Sequence, residues 1–550
     1  MVSIWRDGSP AIPTDPLPAE EEYDDVVVGA GLTGLTTALL LARAGRRVGV
    51  LEAREVGAVA TGNTTAKLSV LQGTKLSAID RHHGPEVVRA YVADNVEGQQ
   101  WLTRYCEDHG VPLQHRTAFT YAGTEDGTPV VRREMEVAAA AGLDVRWEDE
   151  PGVPFETHGA VALDAQTQFD PMDVLAALAE DLRGRGGMVH EGVRVTGVDA
   201  GDPCVITCDV ATVKAGNVVL ATGVPVLDRG LHFATAEPVR SYCIAFEGVT
   251  DPPDGMFLSA DAPSRSLRTA PRGDGSTRLV VGGAGHGVGR SRSPLRHLDE
   301  LREWTATHFP GARETHWWSA QDYAPVDQLP FAGALPLGDG RVLAATGFDK
   351  WGMTNGVASA LALTERILGG ADVPSSRGRG RVVELRSTAA AVLHNAEVGT
   401  RMSAGWLGTV TGSAPDSPPE GQGAVGRCGR GPPWRCPRST DARARSRGSA
   451  PTWAGSCDGT TPKGRGTARC TGRGSPQTAS CSRGRRPHRS SRSIATAEAQ
   501  SRIRPPPRAS AVTRSDTWAS SRTERVNSVA SPVNVRWWRT IACPPSSTRT

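Results

Sequence analysis

Cysteine and aromatic residues are scarce in this chain. The 550 residues include 10 cysteines, and aromatic residues make up 5%. The cysteines of the first 420 residues have no CxxC spacing, which argues against a disulfide framework or a metal site and favours places in the core or on the surface. They are Cys106, Cys204, Cys208 and Cys243.

The sequence also lacks the pattern of a secretory signal or a membrane span. Residues 1–22 are rich in proline and acidic residues rather than apolar. The longest apolar stretch, residues 26–44, is interrupted by glycines. We therefore predict a cytoplasmic protein with no membrane partner.

Lysine is nearly missing from the last part of the chain. Residues 421–550 contain 24 Arg and 1 Lys against 5 acidic residues, a net charge of +20 that leaves −17 for the rest, given +3 overall. The first 420 residues have the composition of globular domains with a large core. The remainder has few Leu, Ile, Val or Phe to offset chain entropy, so we predict disorder over residues 425–550.

A nucleotide-binding βαβ pattern occupies residues 23–52. A predicted strand (residues 25–28) is followed by a glycine-rich turn, an apolar helix (residues 35–44) and a second strand that ends at Glu52. Three glycines form the turn: Gly29, Gly31 and Gly34. Gly29 suits a tight turn, Gly31 allows close approach of a pyrophosphate to the backbone, and Gly34 allows the helix to pack on the strand. Glu52 stands where a carboxylate can hold a ribose hydroxyl.

Two further segments suit the same nucleotide. The polar turn at residues 61–67 fits phosphate or flavin contact, although an ordinary helix cap would use the same residue types. Residues 217–223 predict an apolar return strand that ends in a sharp turn. Between these segments, we predict a helix over residues 84–108, a helix over residues 169–182, and a strand pair over residues 188–199.

The pattern changes to alternating apolar and polar residues over residues 235–283, which predicts antiparallel strands of a second sheet. Glycines at positions 282–289 resemble a phosphate loop, but no apolar helix follows, so we interpret them as a hairpin or loop edge. A last strand (residues 341–345) leads to a helix over residues 355–368, with Thr354 as its cap. The positive end of that helix suits the N1 and C2 carbonyl of a flavin, and Lys350 adds charge unless it is a plain surface residue.

Taken together, the motifs GAGLTG, TGNTTAK, VVLATG, DQLPFAG and ATGFDKWGMTNG resemble the FAD-dependent oxidoreductases of the D-amino-acid oxidase and glycine/sarcosine oxidase family, over about residues 20–375. The subgroup similar to gamma-glutamylputrescine oxidoreductase is nearest, and some of its members carry a C-terminal Rieske iron–sulfur domain. The resemblance implies oxidation of a small amine or amino acid by hydride transfer to FAD, without an obligatory side-chain base and without a resident metal.

The resemblance also implies particular site residues. Contacts to FAD are expected from Gly29, Gly31, Gly34, Glu52, Thr64, Thr65, Val193, Thr222, Gly223, Gly347, Lys350, Gly352 and Thr354. On the substrate side, Arg268 and His286 are weaker candidates, because an arginine or histidine on a sheet is more often solvated or internally bonded.

The expected fold class is α/β: a Rossmann-like FAD-binding domain with an inserted antiparallel-sheet substrate domain, followed by a disordered tail. An extension (residues 1–22) precedes the oxidoreductase (residues 23–375), and a helical linker (residues 376–424) follows it. The FAD-binding parts are about residues 23–80, 160–235 and 320–375. The covering sheet is about residues 236–319 with parts of 85–160. A catalytically impaired FAD-binding remnant is the alternative function.

Three origins are possible for the tail: a basic nucleic-acid arm, a disordered extension, or translation in a wrong frame. Such an excess of Arg over Lys is typical of GC-rich DNA read in an unselected frame, not of a nucleic-acid arm. When back-translated from Pro433 onward and read one nucleotide earlier, permitted codons spell C-T-H-L-G-G-V and W-D-C-P-L-H-G. This is the two-Cys, two-His ligand set of a Rieske [2Fe–2S] centre. We therefore predict a frameshift near residues 424–432, and no iron–sulfur cluster and no specific nucleic-acid partner for the chain as written.

Overall fold

The computed structural model describes residues 2–227, 235–271, 275–291 and 293–370, and four short strands between residues 423 and 447. All described residues belong to a single compact unit.

Helices and strands alternate irregularly along the described residues. The helices are α1 Leu32–Arg43, α2 Lys75–His83, α3 Pro85–Asp108, α4 Thr128–Ala140, α5 Pro171–Gly184, α6 Pro294–His308 and α7 Gly352–Ile367. The strands are β1 Glu20–Val28, β2 Val48–Leu51, β3 Lys67–Leu68, β4 Leu113–Tyr121, β5 Arg146–Glu148, β6 Ala160–Phe169, β7 Met188–His190, β8 Val195–Asp199, β9 Cys204–Cys208, β10 Thr212–Leu220, β11 Ala236–Glu247, β12 Met256–Ser259, β13 Arg265–Pro271, β14 Thr277–Gly287, β15 Arg313–Pro325, β16 Phe331–Ala334, β17 Val342–Thr346, β18 Gly423–Arg427, β19 Pro433–Ser439, β20 Ala442–Arg443 and β21 Ser446–Arg447.

The first sheet has eight strands in the order β16-β17-β10-β1-β2-β7, with β9 joined to β10 and β8 to β9. The pairs from β17 through β10, β1 and β2 to β7 are all parallel. Val26, Val27 and Val28 of β1 are buried, as expected for a central parallel strand. The predicted Rossmann-like sheet is confirmed, and β1 extends back to Glu20 beyond the predicted start.

The second sheet has nine strands in the order β15-β11-β14-β13-β12-β4-β6-β3, with β5 joined to β6. Its pairs are antiparallel except for β4 with β12, which is parallel. Tyr242 and Val281 on its outer face share a buried cluster with Leu298 of α6. On its inner face, Cys243 and Val280 belong to the same core as α1. The predicted antiparallel sheet is therefore confirmed, and its inner face is turned toward the nucleotide-binding part.

Several local predictions need correction. The strands β7 and β8 both exist within residues 188–199, but β7 pairs with β2 and β8 with β9 rather than with each other. The glycines from Gly282 to Gly287 lie inside β14 instead of a loop edge, and only Gly289 follows the strand. A close backbone approach explains Gly283, where an added Cβ would lie 2.2 Å from the Ser264 carbonyl oxygen.

Two helix predictions about this core are confirmed. The helix expected over residues 84–108 is α3, and the one over residues 169–182 is α5, which Asp170 caps by accepting from the Met172 amide at 2.8 Å. The four cysteines of the core are buried without disulfides. No helix among the described residues is long and apolar enough to cross a membrane.

The linker and tail predictions lie almost wholly outside the described residues. In the described part of this region, between residues 423 and 447, strand β19 pairs antiparallel with β18, β20 and β21. The helical linker and the disordered tail stay predictions.

Candidate functional site

The first turn of the site (residues 29–34) joins β1 to α1. Gly29 has a φ of +108°, and a Cβ there would lie 2.6 Å from the Ala221 carbonyl oxygen. At Gly34, a Cβ would lie 1.9 Å from the Gly29 carbonyl oxygen, so α1 can approach the turn only with glycine. Gly31 is the N-cap of α1, and its added Cβ would meet only Thr61 Oγ1, at 3.1 Å. The turn therefore exposes the positive end of α1 beside very small residues.

Glu52 lies next to this turn and is buried. Its Oε2 accepts from the Ala30 amide at 2.9 Å, and its Oε1 accepts from the Arg54 amide at 2.8 Å. The Glu52 carbonyl accepts from the amide of Val193, which is buried beside it. The carboxylate is thus held in place by backbone amides on both oxygens.

The ends of the parallel strands bring further predicted residues to the same edge. Thr222 and Gly223 lie two and three residues after the end of β10, and Gly347 directly follows β17. The Thr346 hydroxyl donates to the Gly223 carbonyl, which ties these two strand ends together. A Cβ on Gly223 would lie 3.0 Å from the Tyr323 ring of the second sheet, so this edge also meets β15.

The second turn (residues 61–66) is anchored through its carbonyl groups. The Ser3 hydroxyl donates to the Gly62 carbonyl, the Trp318 indole N–H to the Asn63 carbonyl, and the Trp5 indole N–H to the Thr64 carbonyl. Arg268 Nη1 donates to the carbonyls of both Thr65 and Ala66. The Thr61 hydroxyl accepts from the Leu32 amide at 3.2 Å, which joins this turn to the start of α1. Side chains from three distant parts of the sequence therefore fix the course of this turn.

The third turn (residues 347–352) precedes α7 and holds two non-glycine residues in the left-handed region, Asp349 at φ +45° and Lys350 at φ +72°. Such backbone costs about 1–3 kcal/mol per residue and is concentrated at functional sites. Buried Lys75 donates to Asp349 Oδ2 at 2.7 Å, and Asp322 accepts from the amides of Tyr323 and Lys350. Burial raises the pKa of Asp322 to about 6. These contacts hold the strained turn against β15 and α2.

The predicted cap of the last helix is wrong. The helix α7 begins at Gly352 with Trp351 as its N-cap, and Thr354 lies inside the first turn. The Thr354 hydroxyl instead accepts from Gln72 Nε2 at 2.9 Å. The helix starts earlier because the left-handed residues of the third turn already direct the chain into it.

A buried amide and hydroxyl network behind the start of α7 was not predicted from the sequence. Tyr91 donates to Gln72 Oε1 at 2.6 Å and accepts from Asn355 Nδ2 at 2.9 Å. Gln72 also lies 3.3 Å from Asn95 Oδ1. The sequence signal that could have predicted this network is the presence of polar residues on the otherwise apolar faces of α3 and α7.

The starts of α1 and α7 lie close together. A Cβ on Gly356 would lie 2.5 Å from Thr33 Oγ1, so the two helices cross near their N-termini. Both positive helix ends therefore belong to one region, which favours a ligand with several negative groups.

Two buried cations, Lys67 and Arg268, lie on the inner face of the second sheet, at the end of the second turn. Lys67 donates to the Phe257 carbonyl and the Ser266 hydroxyl, both at 2.7 Å. Burial, with Arg268 nearby, lowers the pKa of Lys67 to about 7. Burial also lowers the pKa of Arg268 to about 9. Sequence reasoning named Arg268 but missed Lys67, although Lys67 closes the TGNTTAK motif.

His286 lies on the other face of that sheet. Its Nε2 is 3.0 Å from the Tyr242 hydroxyl, and its ring stacks on that of His297 in α6 with centroids 4.4 Å apart. The structure thus brings Arg268, but not His286, to the second turn. Among the described residues, no cluster of three or more His, Cys, Asp or Glu side chains could hold a metal ion.

A comparison with known families decides what this site is. The sequence profile of DAO, the FAD dependent oxidoreductases, matches residues 24–366. The chain belongs to this family. Its residues fit FAD, since an added Cβ would obstruct the turn at Gly29 and Gly34, and two helix N-termini meet beside it. The three turns are the parts of this family member that would hold the cofactor.

Related proteins agree with that assignment. The chain is 28% identical over 371 residues to the protein named Rieske 2Fe-2S iron-sulfur protein YhfW of Bacillus subtilis (strain 168), spanning 66% of this chain and 72% of that one. It is 24% identical to glycine oxidase of Bacillus licheniformis, over 64% of this chain and 94% of that one.

Solved structures show the same fold. Glycine oxidase from Geobacillus kaustophilus gives a TM-score of 0.56 at 19% identity, covering 66% of this chain and 100% of that one. L-amino acid deaminase from Proteus vulgaris, with its specific insertion sequence deleted, gives a TM-score of 0.55 at 18% identity, covering 69% of this chain and 98% of that one.

We expect Glu52→Gln to weaken FAD binding about tenfold. A ribose hydroxyl of FAD would donate to this carboxylate, and a hydrogen bond to a charged group contributes about 1.5–3 kcal/mol against about 0.5–1.5 kcal/mol for one to a neutral amide. Titration of the apoprotein with FAD, followed by flavin fluorescence, measures the change. Glu86→Gln at an exposed position of α3 is the control. Equal affinities of the two variants would contradict the role given to Glu52.

Proposed function

We propose that this FAD-dependent oxidoreductase oxidises a small amine or amino acid. One observation carries the proposal: the second and third turns lie between the edge of the parallel sheet and the second sheet, anchored through Trp318, Arg268 and Asp322 of that sheet. A flavin held by these turns would face a substrate under the second sheet. Relatives named glycine oxidase and L-amino acid deaminase support that substrate class.

When bound, FAD supplies an acceptor for the hydride from the carbon that bears the amine. The residues of the chain would bind and orient. The N-terminus of α7, with the charge of Lys350 near it, favours the negative charge that collects on a reduced flavin. Thr64, Thr65, Gly347 and Gly352 are the proposed neighbours of the ring, and Arg268 remains a substrate-side candidate. A cytoplasmic location stays a prediction from the sequence.

We also propose that the protein descends from a flavoprotein with a Rieske module that a frame change has removed. The name of YhfW and its similarity to this chain over 371 residues support this proposal. The order of C-x-H and C-x-x-H in the hidden frame supports it independently, since these are Rieske ligands.

The test is anaerobic reduction of the purified holoprotein. A panel of secondary amines, D- and L-amino acids and polyamine derivatives is added, and the loss of the oxidised flavin absorption is followed. We expect at least one class to bleach the flavin. A yellow protein that no member of the panel reduces would favour the alternative, an FAD-binding remnant without turnover.

A further inference from the structure

We propose that the N-terminal segment Ser3 to Trp5 is part of the FAD site, with Trp5 as a positioning residue for the second turn. The inference rests on the proposed flavin contact of that turn. The sequence pattern set residues 1–22 apart as an extension before the first strand, with no role in the site.

The segment is buried as deeply as the core. Ser3 is 0%, Ile4 8% and Trp5 4% exposed. Ile4 and Trp5 belong to the same buried cluster as Leu32 of α1 and Trp318 of β15. A segment that packs between the nucleotide-binding helix and the second sheet lies where both parts of the site meet.

The polar contacts of the segment are directed at the second turn. The Trp5 indole Nε1–H donates to the Thr64 carbonyl at 2.7 Å, and the Ser3 hydroxyl donates to the Gly62 carbonyl. The Arg6 side chain packs where a Cβ on Gly62 would lie, 2.8 Å from its Cδ. Three neighbouring residues thus contact a single turn of six residues.

Trp5 also reaches the cation that holds the far end of the same turn. The guanidinium carbon of Arg268 lies 5.0 Å from the centre of the Trp5 ring. Arg268 donates to the carbonyls of Thr65 and Ala66, at 2.7 and 3.0 Å. The indole therefore fixes Thr64 directly, and through Arg268 it limits the freedom of the next two residues.

A role in packing alone would make a different prediction. Removing the indole N–H while keeping an aromatic ring would then lower the stability of the apoprotein and leave the FAD affinity of the folded protein unchanged. If Trp5 positions the second turn, the substitution shifts that turn relative to the flavin. It then changes the FAD affinity and the visible circular dichroism of the bound flavin.

Trp5→Phe is the test, and Trp147→Phe is its matched control. Trp147 likewise donates its indole N–H to an acceptor, Asp149 at 2.8 Å, and likewise carries an arginine over its ring, Arg132 at 4.0 Å. It lies in β5, which pairs with β6. We expect about tenfold weaker FAD binding and an altered visible circular dichroism of the flavin only in Trp5→Phe.

Equal FAD affinity and equal visible circular dichroism in the two variants would overturn the inference. A loss of FAD affinity that is fully explained by the unfolded fraction of apo Trp5→Phe would overturn it as well. If Trp5→Phe does not fold, Ser3→Ala replaces it, and an unchanged affinity in that variant would also overturn the inference. Failure of the unmodified protein to bind FAD would instead refute the proposed function, so the two failures are distinct.

Discussion

Gly31→Asp is expected to abolish FAD binding in a protein that still folds. The backbone of Gly31 has φ −90° and ψ −175°, which any residue adopts, and an added Cβ meets only the Thr61 hydroxyl. Aspartate is also a favourable N-cap, so the apoprotein should be as stable as before or more stable. A carboxylate near the pyrophosphate, however, introduces repulsion of about 4 kcal/mol for unit charges 4 Å apart at an effective dielectric constant of 20, or roughly a thousandfold in affinity.

Two matched controls distinguish the effect of the added charge at Gly31 from the effects of side-chain size and of a charge elsewhere in the protein. Gly31→Asn adds the same volume without the charge and should retain part of the affinity. Gly184→Asp adds the same charge where nothing lies within 4 Å of the new Cβ, and it should bind FAD normally. Equilibrium titration with FAD and thermal unfolding of the apoproteins are the measurements. Stoichiometric FAD in purified Gly31→Asp would refute the assignment of the first turn.

Restoring the hidden reading frame near residues 424–432 is expected to add an iron–sulfur cluster to the protein. The restored sequence would contain the C-x-H and C-x-x-H ligands of a Rieske centre, so we expect about two iron atoms and two acid-labile sulfides per chain. Metal and sulfide analysis, with electron paramagnetic resonance of the reduced protein, measures this gain.

The control for that experiment is a chain cut near Glu420. The last helix of the described core, α7, ends at Ile367, so we expect the cut to leave the flavin content unchanged and the solubility unchanged or improved. A restored protein without iron would contradict the frameshift hypothesis. DNA resequencing that confirms an intact frame, with codon selection across the tail, would contradict it as well.

The βαβ unit could be predicted from the sequence because its signals are local. The glycines, the apolar helix and Glu52 all lie within 30 residues, and the steric contacts at Gly29 and Gly34 match the predicted demands. The helix starts three residues earlier than predicted, at Leu32, because the glycine turn itself enters the first helical turn.

Contacts between distant residues could not be predicted. Nothing in the sequence near Trp5 indicates that its indole reaches Thr64, and Lys67 becomes unusual only when β12 and β13 bury it. His286 was named as a substrate-side candidate, but in the structure it lies on the outer face of the second sheet, against Tyr242 and His297. In the structure, the pairing of β11 with β14 shifts register between Arg240 and Tyr242, which changes the faces on either side of the shift.

The strand order of the first sheet also dictates when the protein can acquire its cofactor during synthesis. Val26 pairs with Val218, and Val218 pairs with Val342. The centre of the sheet is therefore complete only after residues more than 300 positions beyond β1 have been synthesised. Until β17 and α7 have left the ribosome, β10 has an open edge and the third turn does not exist. An error in the message before that point deprives the chain of a flavin site, whereas a frame change after residue 420 comes once every strand of the site has already been translated.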